Sequence, residues 1–510
     1  MSAELTGSNK PAKSKPKKAR QKHEETEFTK RDLLITIAVI TAIVLVLATL
    51  LFGLQWVTLL ESLVRGLPIM TFATLGVGVL YLLKPGTEQQ RGWISAIVIT
   101  LAVGYTVTFQ NYLVSNAFAQ QVTTDEQSIT SFENRVPWVV ANNYASRDQG
   151  DDVGDRGNVK YVPAEQKQVY STLITGRSLF GNVGYSSIRE FALPEVGAIP
   201  ASAAQSCQVP DEMGQRWGAY LPWRSLDYTI SWRAPFTHYD YADTYGYCVQ
   251  GQPVVVQPLW KYAGFFVSVK VPAGAAVYDA QGLRILSAAE LEAEGILGPT
   301  FPQSLARTQR ESLIASGSFV DFLASRSGYD TTEKDEEDSN AGNTSEFLLV
   351  DTSGKLHYVT PLTPRGSSQS IVANFVAPAQ QLAQQPQARI ETSVDLPATS
   401  SLENAIRSAS VPADPEWSTR WAAGMRVYEI IPTAEGNWVA SIGLGQEVNY
   451  RALIKADGSI SVQRTDQAAG GSADQQQSGG GTGISVDLQK LSKQELVDLI
   501  NRATQELANR

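Results

Sequence analysis

Three residues whose side chains could act together in catalysis lie within one short segment. His238, Asp240 and Asp243 combine an imidazole with two carboxylates, a set from which acid–base or nucleophilic chemistry can start. The nucleophile motif G-x-S-x-G and the zinc motif H-E-x-x-H do not occur in the sequence. The sequence therefore favours a non-enzymatic role without deciding the question. These residues are weak catalytic candidates for a competing interpretation, an extracytoplasmic hydrolase acting on peptide or glycan.

The segment around these residues is rich in aromatic side chains. Between Trp217 and Phe266 it holds 14 of the chain's 45 Trp, Tyr and Phe residues. Such a cluster either packs the inner face of a sheet or forms a surface that anchors a protein or stacks on a sugar ring. Because the stretch FTHYDYADTYGYC is typical of a loop, we predict Tyr239, Tyr241 and Tyr245 as surface residues that bind a partner, with a glycan as an alternative ligand.

The two cysteines, Cys207 and Cys248, lie well beyond the apolar N-terminal part of the chain. Outside the cytoplasm the environment favours oxidation, so the sequence predicts one disulfide between them. Three His and two Cys leave little material for a zinc, iron–sulfur or haem site. We expect no metal and no cofactor.

Three apolar stretches predict membrane helices. They cover residues 33–54, 66–83 and 93–114 and contain no Asp, Glu, Lys, Arg or His. The first would be about 33 Å long as a helix, which is enough to cross a hydrocarbon core. It is too long for the apolar part of a cleaved signal peptide. Ala117-Phe118-Ala119 resembles a signal-peptidase site, but we expect no cleavage there.

Basic residues in the short loops indicate the orientation of these helices. The N-terminal tail is rich in lysine, and the loop between the second and third stretches holds Lys84 and Arg91. The loop before the second stretch has only Arg65, four residues after Glu61, a spacing that suits a helical ion pair. Positive loops face the cytoplasm, so we predict a cytoplasmic N-terminus and an extracytoplasmic region after residue 115. A nucleic-acid-binding arm is the other interpretation of the basic tail, and we expect no nucleic-acid partner.

The remainder of the chain has the patterns of a mainly β region with a few helices. Runs rich in β-branched and aromatic residues predict strands, and prolines followed by helix formers predict helices. The predicted strands are 228–232, 253–257, 265–271, 276–279, 346–351, 355–361, 438–442, 448–454 and 459–462, and the predicted helices are 288–294, 302–316 and 378–385.

Composition divides the chain into seven segments. We predict a disordered basic tail (1–32), a three-helix anchor (33–114), a β-rich domain with the aromatic cluster (115–328), an acidic loop or linker (329–345), a second β-rich domain (346–465), a flexible linker (466–484) and an amphipathic helix (485–510). That helix places Leu496, Ile500 and Leu507 on one face, and a helix this short needs a surface on which to dock. We predict these three residues as partner contacts.

These features together predict a multi-pass membrane protein of a bacterial cell envelope. The expected function is an extracytoplasmic interaction or structural module that belongs to a larger membrane-associated assembly or forms a homo-oligomer. The alternatives are the hydrolase and an accessory subunit of a transport or secretion complex. A proton-coupled or ion-coupled transporter is disfavoured, because the predicted spans contain no ionisable residue.

Overall fold

The structure is a computed structural model of the full chain. It describes residues 30–84, 86–126, 129–147, 154–163, 169–177, 184–192, 204–219, 221–331, 347–366, 370–392, 396–397, 399–409, 414–433, 436–445 and 447–465. Nearly all of the predicted basic tail, the linker 466–484 and the terminal helix with Leu496, Ile500 and Leu507 lie outside these residues.

Five helices precede the β-rich region. They are α1 (Lys30–Phe52), α2 (Gln55–Gly66), α3 (Pro68–Leu83), α4 (Glu88–Gly104) and α5 (Asn111–Ala119), with a π-helical segment, Tyr105–Gln110, joining the last two. Within the described residues, α1 and the continuous helix Glu88–Ala119 are long and apolar enough to cross a membrane. Helices α2 and α3 would add a third span if counted as one unit, although they meet at a bend of 100°.

Helix α2 occupies the segment that the sequence predicts as a loop between two membrane spans. Glu61 and Arg65 form the ion pair that their spacing predicts, with Arg65 Nε 2.9 Å from a carboxylate oxygen. Pro68 then occupies the first turn of α3, where its missing N–H costs nothing. The break between α2 and α3 falls at Leu67, whose backbone is not helical.

The strands, in chain order, alternate with short helices. The strands are β1 (Thr123–Asp125), β2 (Gly154–Arg156), β3 (Lys160–Tyr161), β4 (Val169–Gly176), β5 (Tyr185–Ala192), β6 (Ala204–Gln208), β7 (Tyr245–Val249), β8 (Gln252–Ala263), β9 (Val269–Asp279), β10 (Gly282–Leu286), β11 (Tyr329–Thr331), β12 (Phe347–Val350), β13 (Leu356–Pro364), β14 (Ala373–Pro378), β15 (Arg389–Glu391), β16 (Arg426–Pro432), β17 (Trp438–Leu444), β18 (Glu447–Ile454) and β19 (Ile460–Arg464). The helices are α6 (Trp138–Arg147), α7 (Leu226–Arg233), α8 (Ala288–Ala293), α9 (Gln303–Glu311), α10 (Phe319–Leu323), α11 (Thr399–Ser408) and α12 (Trp417–Ala422).

The described strands form four sheets. The six-stranded sheet has the strand order β1-β15-β14-β13-β11, and β12 pairs with β13 as well. The five-stranded sheet has the strand order β2-β4-β5-β6, and β3 pairs with β4 as well. The other two are the meanders β10-β9-β8-β7 and β16-β17-β18-β19. Neighbouring strands pair antiparallel except β1 with β15. The β-rich character that the sequence predicts is therefore confirmed.

The six-stranded sheet draws on widely separated parts of the chain. Strand β1 follows the apolar helices directly, whereas its partner β15 comes more than 260 residues later. Strand β11 begins at Tyr329, the first residue of the predicted acidic linker. Residues 332–346 of that linker lie outside the described part of the chain.

Other elements also differ from the sequence-based predictions: residues 265–268 form the loop before β9 rather than the start of a strand. Residues 228–232 belong to helix α7 rather than to a strand, because the Ser225 side chain caps the helix by accepting from Tyr228 N–H. Residues 378–385 do not form the predicted helix. Pro378 ends β14, and the Gln381 side chain instead exchanges hydrogen bonds with the backbone of Gly274, accepting at 2.8 Å and donating at 2.8 Å.

The apolar helices share a core with the β-rich region. Phe118 of α5 is 2% exposed and belongs to the largest apolar cluster, together with Phe301 and with Phe375 of β14. Cys207 of β6 and Cys248 of β7 form a disulfide, as the sequence predicts, and it joins the edges of two sheets.

Candidate functional site

A buried carboxylate organises the aromatic segment. Asp227, in the first turn of α7, is 3% exposed. It accepts hydrogen bonds from Gly218 N–H at 2.6 Å, Ser225 Oγ at 3.1 Å, Tyr239 Oη at 2.7 Å and Tyr241 Oη at 3.2 Å. Four donors to one carboxylate offset the cost of burying its charge.

This carboxylate presents Tyr241 at the surface in a fixed position. The Tyr241 ring is 57% exposed although its hydroxyl is bonded to Asp227. Tyr239 is partly buried and packs on Trp217, with 5.1 Å between ring centroids. Burial, and then the Asp227 charge, raise the pKa of both tyrosines above the ordinary value, so both hydroxyls stay protonated donors. Trp223, in the 3₁₀ turn before α7, is 68% exposed.

Tyr245 does not share this surface. It is 2% exposed, and its hydroxyl donates to the backbone oxygen of Leu297 at 2.7 Å. The prediction that it is a surface residue is wrong. Tyr245 is the first residue of β7, and the side chain at that register position points into a small core with Val256 and Val277.

The structure does not bring His238, Asp240 and Asp243 to one point. The Asp240 carboxylate accepts from Ala242 N–H at 2.9 Å and so caps a 3₁₀ turn. Asp243 is 4% exposed and accepts from Ser304 Oγ at 2.6 Å. Both carboxylates thus have local structural partners, and neither contacts the His238 ring.

His238 instead contacts helix α2, between the apolar helices and the β-rich region. Its Nδ1 lies 3.4 Å from Ser62 Oγ, and its Nε2 lies 3.4 Å from a Glu61 carboxylate oxygen. One face of its ring stacks on Trp260, with 4.4 Å between ring centroids. Burial lowers the pKa of His238, Glu61 opposes this shift, and Lys270 adds to it. The ring is therefore neutral at neutral pH.

A cavity of about 480 Å³ lies next to this histidine. Helix α2 contributes part of its wall, and the β8–β9 hairpin contributes most of the rest. Glu61 and Tyr262 line the cavity, but Ser62 and His238 do not. Ser62 Oγ also donates to the backbone oxygen of Thr58 at 3.1 Å. This cavity therefore does not lead a substrate to the hydroxyl–imidazole pair.

The contacts of His238 with Glu61, Ser62 and Trp260 are not evident from the sequence. The available signal was the helical spacing of Glu61 and Arg65 between two apolar stretches, which indicated an amphipathic helix. The pairing itself spans more than 170 residues of sequence. Within the part of the chain that the structure describes, no group of three or more His, Cys, Asp or Glu residues is arranged to hold a metal ion.

No protein-family model matches the chain, and neither the curated proteins nor the solved structures contain a significant match to it.

Proposed function

We propose that the chain is a membrane-anchored interaction module of the cell envelope. Its apolar helices hold it in the cell membrane, and its β-rich region lies outside the cytoplasm and presents a binding surface to a larger assembly. The apolar helices α1, α3 and α4–α5 support the anchoring. The basic residues Lys84 and Arg91, which flank the connection between α3 and α4, and the Cys207–Cys248 disulfide support this orientation.

The observation that carries the interaction role is Tyr241, an exposed aromatic ring whose hydroxyl is held by the buried Asp227. A ring held in place before binding loses little conformational entropy when a partner covers it. Tyrosine and tryptophan are also the side chains that most often contribute large shares of interface binding energy. Trp223 supplies a second exposed ring on the turn that leads into α7.

The hydrolase interpretation receives no support from this geometry. His238, Asp240 and Asp243 have separate partners, and the cavity beside His238 does not reach Ser62.

The test is purification of the full chain from membranes in mild detergent, followed by mass spectrometry of the proteins that co-purify. We expect partner proteins with the wild-type chain and their loss with the double variant Trp223→Ala/Tyr241→Ala. Removing two such anchors weakens a typical interface by about 2 kcal/mol or more, roughly 30-fold. Leu444→Ala, which removes an exposed apolar side chain at the end of β17, is the matched control.

Two results would overturn this proposal. One is a wild-type chain that emerges alone and monomeric. The other is a set of partners that the double variant retains unchanged.

A further inference from the structure

The cavity between α2 and the β8–β9 hairpin is apolar along most of its wall. Its α2 side is formed by Val57, Leu60 and Val64, and its other side includes Phe236 and Phe265. Its volume of about 480 Å³ lies within the range of sites that hold small organic ligands.

The charged residues of the wall favour an anion. Arg65 is already neutralised by Glu61, whose carboxylate lies 2.9 Å from it. Lys261 also lines the cavity, is exposed and forms no ion pair within the described part of the chain. The wall therefore carries a net charge of about +1, and a lysine ammonium is a common ligand of phosphate groups.

The cavity opens towards the apolar helices. Leu60 and Phe265 are 50% and 44% exposed although both line it. Phe265 and its neighbour Phe266 approach Phe72 of α3, with ring centroids 6.2 and 6.4 Å apart. Arg65 Nη1 donates to the Gly264 backbone oxygen at 2.6 Å and so holds the tip of the hairpin beside α2.

With the anchoring proposed above, the hairpin tip would lie at the depth where lipid head groups meet acyl chains. Gln110 donates to the Gly66 backbone oxygen at 2.9 Å, which places the end of α2 level with the π-helical segment. Phe72 lies four residues after the start of α3 at Pro68 and six after Gly66. At a helical rise of 1.5 Å per residue, its Cα is therefore roughly 6 to 9 Å from the end of α2 along the axis of α3. Side chains of interfacial elements are buried to a depth of about 5–10 Å.

We propose that this cavity binds an anionic phospholipid from the outer leaflet of the membrane that α3 crosses. One acyl chain lies against Val57, Leu60 and Val64, Phe265 covers it, and Lys261 contacts the phosphate. The inference rests on the membrane anchoring in the proposed function, but it does not depend on the protein-binding surface around Tyr241.

The experiment uses the full chain, purified in detergent, depleted of lipid and then titrated with phosphatidylglycerol or phosphatidylcholine under native mass spectrometry. We expect tighter binding of phosphatidylglycerol. Lys261→Glu should weaken phosphatidylglycerol at least fivefold and leave phosphatidylcholine nearly unchanged. Val64→Trp, which places a larger side chain at the apolar wall, should weaken both lipids. Lys355→Glu, a charge reversal at an exposed lysine in the β12–β13 turn, is the matched control and should change neither.

Each other outcome overturns the proposal in a distinguishable way. Equal phosphatidylglycerol binding by the wild-type chain and Lys261→Glu would exclude this site while leaving the anchoring intact. Release of the wild-type chain from membranes by alkaline carbonate would instead reject the anchoring, and the lipid site with it.

Discussion

At the residue scale, His238 is placed by contacts on every side of its ring. Trp260 stacks on it, and Tyr262 meets it edge-on at 5.1 Å between centroids. Glu61 and Ser62 approach its two nitrogens from α2. These contacts join α2 to the β-rich region through His238.

The titration of His238 tests this environment. Burial lowers its pKa, so its imidazole should titrate below the ordinary value of 6.5. Burial also lowers the pKa of His357, which lies 2.9 Å from Asp351. We expect two of the three imidazole signals of a histidine-labelled chain to titrate below pH 6.5 by NMR, with His238→Gln and His357→Gln assigning them.

The stability of the chain should follow the same titration. A histidine with a lowered pKa binds fewer protons in the folded state than in the unfolded state. The contribution of His238 is therefore complete above pH 6.5 and declines as the pH falls below that value. Unfolding in urea, followed by tryptophan fluorescence, should show this decline, and His238→Gln should reduce it. A His238 signal that titrates at or above pH 6.5 would contradict the interpretation.

At the element scale, the short connection between α1 and α2 determines how α2 lies against α7. Gly53 has φ of +61°, a conformation that glycine adopts without strain. A Cβ atom at this position would lie 2.4 Å from Ser231 Oγ and 3.0 Å from Trp232 Nε1. Leu54 N–H also donates to Ser231 Oγ at 3.1 Å. The contact between the two helices thus requires a residue without a side chain.

Gly53→Ala should separate α2 from α7 and lower the free energy of unfolding by about 1–3 kcal/mol, because the new methyl group adds both backbone strain and a collision. Thermal unfolding in micelles measures the change. Gly78→Ala is the matched control, because a Cβ there meets nothing within 4 Å. Equal melting temperatures for wild type and Gly53→Ala would show that this contact is not needed.

The disulfide between β6 and β7 constrains the unfolded chain rather than adding a contact. Its cysteines are 41 residues apart, so loop closure stabilises the fold by about 4 kcal/mol in the entropic estimate. Cys207→Ser/Cys248→Ser should therefore lower the melting temperature. A reducing agent should lower the melting temperature of the wild-type chain to a similar value and leave that of the double variant unchanged. Identical melting of the oxidised and reduced wild-type chain would contradict this role.

At the scale of the whole molecule, one buried ion pair connects three sheets. Arg135 lies 3.1 Å from a Glu429 carboxylate oxygen, and their side chains are 4% and 6% exposed. Arg135 also donates to Tyr170 Oη of β4 at 2.7 Å and to the Leu348 backbone oxygen of β12 at 2.9 Å, while Glu429 belongs to β16. Burial lowers the pKa of Arg135, but Glu429 and two tyrosines more than offset this, so the guanidinium stays charged.

Removing one partner of this ion pair should lower the free energy of unfolding substantially. Glu429→Leu leaves the Arg135 charge buried and unpaired, which lowers the free energy of unfolding by about 3–5 kcal/mol. Arg135→Met should cost a similar amount. The double variant Arg135→Met/Glu429→Leu should lose less unfolding free energy than the two single variants lose together, because it leaves no buried charge. Denaturant unfolding of the four chains gives the coupling energy, and strictly additive costs would contradict a direct interaction.

Features that depend on neighbouring residues could be predicted from the sequence. The apolar helices follow from unbroken hydropathy, and strands β18 and β19 lie where runs of β-branched residues predict them. The Glu61–Arg65 ion pair follows from helical spacing. The disulfide pairing could be predicted without a structure, because the chain has only two cysteines. These predictions succeed because their energies arise within a few residues or from a unique pair.

The contacts that make up the candidate site were decided by the tertiary structure. Local sequence patterns were enough to show that apolar helices precede a β-rich region with one disulfide and an aromatic segment. They did not show that Tyr245 is buried while Tyr241 is exposed, because both follow the same local pattern and only Asp227 and the β7 register separate them. Nor did they place His238 against α2, because their contact closes more than 170 residues of chain and depends on how whole elements pack.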